Sequence, residues 1–122
     1  MMDEKNLEEK MLSREDKYHG ILMDIHVDTV LLPNGKTAVR EVADHVDGVA
    51  VLALDEGNRV LTVTQYRYVF GKALLEIPAG KLDYVGEDPF VCAQRELREE
   101  TGLHADKWRK LVALRTTPGF CN

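Results

Sequence analysis

The sequence predicts an α+β domain, a mixed β-sheet with flanking helices. Three observations point there. Alternating and apolar runs fill residues 21–66 and read as strands. One strong helix signal follows at residues 88–102. A further apolar stretch at 108–114 reads as another strand.

Taken in order, residues 3–16 are highly charged and helix-like, with Leu7, Met11 and Leu12 on one side. Residues 1–17 are therefore read as an N-terminal charged segment, and 18–122 as the domain. Ile21, Met23, Ile25 and Val27 alternate with Leu22, Asp24, His26 and Asp28, the period of a strand. Pro33-Asn34-Gly35 is a turn signal, and residues 36–46 read as the returning strand. Residues 48–54 (GVAVLAL) are almost continuously apolar, as in a strand buried on both faces. Asp55-Glu56-Gly57-Asn58 is a second hairpin turn, with residues 59–66 as partner strand. A short strand at 74–77 stops at Pro78, and a loop rich in Gly and Asp covers 79–87. Asp88 suits an N-cap, Pro89 the first helical position and Gly102 the stop. Ala93 and Leu97, four apart, offer the buried stripe.

The chain has 122 residues, 16 basic and 21 acidic, for a net charge of -5. One domain fits that length. An acidic balance argues against a nucleic-acid binder and against docking on an anionic membrane. It leaves room for a phosphate-bearing substrate, because bound cations reverse local charge. Cys92 and Cys121 make no disulfide framework, which suits the cytoplasm. No run approaches the ~18 apolar residues of a membrane span. The charged N-terminus does not read as a secretory signal.

The charge is concentrated. Between Glu76 and Glu100 there are seven acids (Glu76, Asp83, Glu87, Asp88, Glu96, Glu99, Glu100) against three bases (Lys81, Arg95, Arg98). Glu96, Glu99 and Glu100 share one helix face, where like charges repel. Two readings fit. One is a solvated face with salt bridges, such as Arg95 to Glu99. The other is a hard-cation site, since Mg²⁺ takes carboxylate oxygens together with substrate phosphates.

Gly80…Glu87…Arg95-Glu96-Leu97-Arg98-Glu99-Glu100-Thr101-Gly102-Leu103 resembles the Nudix box, G-x5-E-x7-R-E-U-x-E-E-x-G-U with U aliphatic. From Arg95 to Leu103 all seven specified positions agree. Composition alone gives such a match on the order of once in 10⁷ windows. One departure is visible: six residues, not five, separate Gly80 from Glu87, and the extra one falls within Asp83-Tyr84-Val85-Gly86. The flanking motifs resemble the ADP-ribose pyrophosphatase branch. These are Leu75-Glu76-Ile77-Pro78-Ala79-Gly80-Lys81-Leu82, Gln65-Tyr66-Arg67, Thr117-Pro118-Gly119-Phe120, and the hairpin with Leu32-Pro33-Asn34-Gly35-Lys36 and Arg40-Glu41.

The resemblance implies a Nudix fold, a sheet sandwiched between helices. It implies metal ions, Mg²⁺ or alternatively Mn²⁺, held by Glu96, Glu99, Glu100 and the Ala79 carbonyl, with Glu87 assisting through water. Arg95 is expected to position the box by pairing with a carboxylate. Glu99, Glu100 and Arg95 are thus the expected catalytic residues, and Arg40, Arg67 and Glu76 the substrate-site residues. The implied reaction is attack of a metal-activated water on a diphosphate, giving AMP and ribose 5-phosphate from ADP-ribose. The branch places its general base just beyond the Pro-Gly-Phe segment, so the chain is expected to be shortened at its C-terminus, with Glu99 as a weak substitute base. The branch also implies a homodimer. Two alternatives stand beside this reading: the same chemistry on another ADP-sugar or a dinucleotide, and a silent fragment that binds metal or nucleotide or only dimerises. Cys92 is expected to be a small apolar helix residue and Trp108 a packing residue. His19, His26, His45 and His104 have no metal-ligand spacing.

Overall fold

The computed structural model describes residues 7–122. They divide into two compact units: the described residues up to His45 with Ala113–Asn122, and Val46–Val112.

The first unit is built on three antiparallel strands in the order β1 (Lys10–His19), β2 (Asp24–Leu31), β3 (Thr37–Asp44). The β2–β3 turn falls where Pro33-Asn34-Gly35 predicts it. Gly35 takes a φ of 82°, a left-handed value that favours glycine, and its N–H donates to the Leu32 carbonyl at 2.9 Å. The helix-like reading of 3–16 is corrected from Lys10 onward. Those residues are extended and pair with β2 from Lys10↔Leu31 to His19↔Asp24. All ten residues of β1 are exposed, so no apolar stripe is buried to favour a helix. Residues 3–6 of that reading lie outside the described residues.

On β2 the buried positions are His26, Asp28 and Val30; Ile25 and Val27 are half-buried. Burying two polar residues costs free energy unless their groups are bonded. Here they are. Arg14 on β1 donates from Nε and Nη2 to the two oxygens of Asp28, both at 2.8 Å. His26 meets Asp28 through Nδ1 at 3.0 Å and Asp44 through Nε2 at 3.1 Å. The Asn122 amide donates to the other Asp44 oxygen at 2.5 Å, beside a parallel bridge between Ala43 and Cys121.

The second unit carries β4 (Gly48–Ala50) paired with β7 (Ala79–Lys81), β5 (Val63–Arg67) paired with β6 (Lys72–Glu76), and α1 (Pro89–Thr101). Both pairs are antiparallel. A 3₁₀ turn at Tyr68–Phe70 joins β5 to β6. Four expectations change. The expected pairing of 48–54 with 59–66 is reduced to a bridge between Leu54 and Val60, and β5 begins at Val63 and pairs with β6. The strand at 48–54 shortens to β4, and the segment is not buried on both faces: Val51 is buried while Leu52 and Leu54 are exposed. The start of the 79–87 loop is a strand, held to β4 and extended by the Val51 N–H donating to the Pro78 carbonyl at 2.8 Å. Residues 108–114 form no strand. Trp108 does pack, its ring edge-on to Phe90 at 5.5 Å and its indole N–H donating to the Ala105 carbonyl.

The helix forms where its signals lie. The Asp88 carboxylate accepts the Phe90 N–H at 2.8 Å, and Gly102, at φ 73°, returns its N–H to the Arg98 carbonyl. Cys92 and Leu97 are its buried residues, and the helix packs on β7 and β4. Among the described residues no helix is long and apolar enough to cross a membrane.

Leu97 is 2% exposed. Leu97→Ala is expected to cost about 2–5 kcal/mol, read from urea unfolding. The Arg14 hydrogen bonds hold the Asp28 carboxyl below its ordinary range. A depressed folded value gives stability that is complete above the unfolded value of about 4 and is lost as pH falls through the folded one. Thermal midpoints recorded across the acid range should therefore fall less steeply for Asp28→Asn than for the wild type.

Candidate functional site

The site is built where α1 crosses β7. Glu96, Glu99 and Glu100 project from the helix, and β7 supplies Ala79 and Gly80 opposite Glu100 and Glu96. The Ala79 N–H donates to Glu100 Oε2 at 3.2 Å. A Cβ added at Gly80 would overlap the Glu96 carboxylate. Glycine there leaves room for the Glu96 carboxylate to approach β7, and its φ is not left-handed. The three carboxylates differ in exposure: the Glu96 side chain is 12% exposed and that of Glu99 is 61% exposed.

Arg95 offsets the repulsion among these acids. Its Nη1 lies 3.0 Å from Glu96 Oε1 and 3.6 Å from Glu99 Oε2. Its Nη2 contacts both Glu87 oxygens, at 3.3 and 3.4 Å, and Cys92 Sγ at 3.3 Å. Its Nε lies 3.4 Å from Asp83 Oδ2. Burial alone would lower the Arg95 pKa, but the hydrogen bond with Glu87 and the charges of Asp83 and Glu87 hold it above its ordinary value. Glu87 is itself buried and accepts the Asp83 N–H at 2.7 Å, which closes the loop ahead of the helix. Cys92 has a raised pKa, chiefly from burial, and acts as the small apolar residue expected.

Beside this cluster, Arg67 at the end of β5 grips Glu76 at the end of β6. Nε and Nη2 donate to the two carboxylate oxygens at 2.8 and 2.6 Å. The hydrogen bond from Arg67 lowers the Glu76 pKa, and Glu76, with a smaller contribution from the Glu100 charge, raises that of Arg67. Arg40 belongs to the other unit. There it donates to Glu9 at 2.9 and 2.5 Å and lines an open cavity of about 450 Å³ with Val39, Glu41, Gly119 and Phe120.

Thus Ala79, Glu87, Arg95, Glu96, Glu99 and Glu100 are brought together, and Arg67 and Glu76 pair beside them. Asp83 is the contributor that motif reading passed over; its one signal is an acid four residues before Glu87. Among the described residues no three His, Cys, Asp or Glu side chains converge as a ready-made metal cluster. The donor set still suits a hard divalent cation. It is all oxygen, and the space at Gly80 that a Cβ would fill holds a carboxylate.

The model of the NUDIX domain matches residues 44–120. The ADP-ribose pyrophosphatase of Bacillus subtilis (strain 168) is 44% identical over 118 residues, covering 97% of this chain and 63% of that protein. The methanol dehydrogenase activator of Bacillus methanolicus is also 44% identical over 118 residues, with the same coverage of 97% and 63%. A crystal structure of an ADP compounds hydrolase aligns with a TM-score of 0.80 over 93% of this chain and 61% of that one, at 21% identity, a likeness of fold alone. The chain spans about three fifths of the length of the proteins it matches.

Gly80→Ala should push the Glu96 carboxylate aside at a cost of about 1 kcal/mol or less, because only the flexible end of that side chain has to move. Adding Glu96→Ala should recover most of that loss. Chemical denaturation of the two single variants and the double variant measures the non-additivity.

Proposed function

The chain belongs to the Nudix family, and from that membership we propose that it hydrolyses a nucleoside diphosphate linked to another moiety, with ADP-ribose giving AMP and ribose 5-phosphate. One observation supports this reading: two of the box carboxylates, Glu96 and Glu100, lie against β7 next to an arginine–glutamate pair suited to phosphate.

Glu96, Glu99, Glu100 and the Ala79 carbonyl would hold a divalent cation, Mg²⁺ or Mn²⁺. When bound it supplies neutralisation of charge on the phosphate oxygens and a lower pKa for water. The chain's own groups do the rest. Arg67 uses Nε and Nη2 on Glu76; its Nη1 donates to nothing among the described residues and is left for a phosphate oxygen. Glu76 fixes the plane of that guanidinium. Glu99 is the exposed one of the three box carboxylates, so it takes the proton as water adds to phosphorus and the bridging P–O bond breaks. Arg95 positions Glu96 and Glu99, and Glu87 anchors Arg95. A cytoplasmic homodimer fits two free cysteines and a fully exposed β1 bearing Met11, Leu12 and Tyr18.

A second reading, a domain that binds nucleotide without turnover, is favoured by Arg95 standing on Glu96 and Glu99. Hydrolysis assays with product identification separate the two. Mg²⁺-dependent release of AMP and ribose 5-phosphate supports the first, and an inert chain that still binds ADP-ribose supports the second. A panel of ADP-sugars and dinucleotides ranks the substrates. Glu100→Gln is expected to lower kcat/KM by roughly 10²–10³-fold, the size of losing one charge-stabilising group. An undiminished rate in that variant would remove Glu100 from the cation site.

A further inference from the structure

A guanidinium is planar, and its five N–H groups point in fixed directions. In Arg95 those directions are divided. Nη1 faces the box, at 3.0 Å from Glu96 and 3.6 Å from Glu99. Nη2 and Nε face the preceding loop. Nη2 is shared among Glu87 and Cys92 at 3.3–3.4 Å. The Nε atom is buried, and among the described residues it has no hydrogen-bond partner. Asp83 Oδ2 stands 3.4 Å from it, an ion-pair distance without a directed bond.

A buried donor without an acceptor is costly, and one with a carboxylate just out of reach has an evident way to be satisfied. A charge-assisted N–H···O bond closes to about 2.7–2.9 Å. Asp83 is free to supply it. Its side chain is 59% exposed, while its backbone N–H is fixed to Glu87 at 2.7 Å. It also stands at the start of the loop that is one residue longer than the box pattern, which turns at Gly86 with φ 89°.

The box carboxylates face the opposite problem. A divalent cation drawing on Glu96 and Glu99 competes directly with Arg95 Nη1. Whatever Arg95 loses there weakens cation binding, unless another acceptor takes up the guanidinium. We infer that Asp83 is a positioning residue: its carboxylate takes up Arg95 as Glu96 and Glu99 turn to a divalent cation, and thereby sets the affinity of the box for that cation. This rests on the cation site of the proposed function.

Mn²⁺ binding to the 122-residue chain, followed by electron paramagnetic resonance of free Mn²⁺ without substrate, tests it. Asp83→Ala should raise the Mn²⁺ dissociation constant roughly fivefold, and Asp83→Glu should stay within about twofold of wild type. In an Arg95→Gln background, Asp83→Ala should have no further effect. An equal loss in both backgrounds would mean that Asp83 acts as bulk charge, and overturns the inference. So would an Asp83→Ala chain that binds as well as wild type. Should Arg95→Gln fail to fold, the ¹⁵N-edited spectrum decides. Mg²⁺ should move the Arg95 Nε–H resonance downfield in wild type and leave it in place in Asp83→Ala; an unmoved wild-type resonance overturns the inference. A wild-type chain that binds no Mn²⁺ removes the cation site itself, whereas binding that is indifferent to Asp83 removes only the inference.

Discussion

Arg95 among its carboxylates is the interaction on which the second unit depends. Asp83, Glu87, Glu96 and Glu99 all lie within ion-pair distance of one guanidinium. Three acids on one helix face repel, and at i,i+3 and i,i+4 the helix itself holds them together. Only a cation placed among them makes the arrangement tolerable. An arginine does this better than a lysine. It keeps its charge when partly buried, and its fork addresses several oxygens at once.

The backbone is shaped to the same end. The helix reaches its acids to β7 because β7 has no side chain at Gly80 to hold them off. Glu100 then satisfies the Ala79 N–H, so one contact both pins a box carboxylate and completes the strand's bonding. On the other side β7 pairs with β4 through three residues, Gly48↔Lys81 to Ala50↔Ala79. Cys92 and Leu97 bury the inner face of α1, with Asp88 and Gly102 closing its ends. The acids sit on a rigid helix whose position is set by packing, not by their own attractions.

How much of this was legible depended on how local the cause was. The helix was legible to its caps, because Asp88, Pro89 and Gly102 act on neighbouring backbone groups. The box carboxylates were legible because spacing on a helix is geometry. β7 was not: three residues, two of them Ala and Gly, show no strand period. The run at 48–54 misled because apolar composition does not say whether a neighbour covers both faces; Leu52 and Leu54 remain exposed. Residues 10–16 of β1 look helix-like in sequence because their pairing partner lies across a turn. The Arg14–Asp28 pair, 14 residues apart, carries no sequence signal at all. Asp83 was visible as an acid but not as a partner of Arg95, since the turn of its loop decides where it points.

The three arginine clusters differ in a way that distances settle. Arg14 and Asp28 are matched fork to fork at 2.8 Å twice, and Arg67 and Glu76 at 2.8 and 2.6 Å. Those are closed pairs at the length of strong charge-assisted bonds. Arg95 makes four carboxylate contacts between 3.0 and 3.4 Å, a fifth at 3.6 Å, and leaves Nε without a directed bond. A cluster tuned for stability alone would resemble the first two. Long, shared contacts hold the acids in place while leaving each of them replaceable, which is what carboxylates must be if they are to exchange an arginine for a cation.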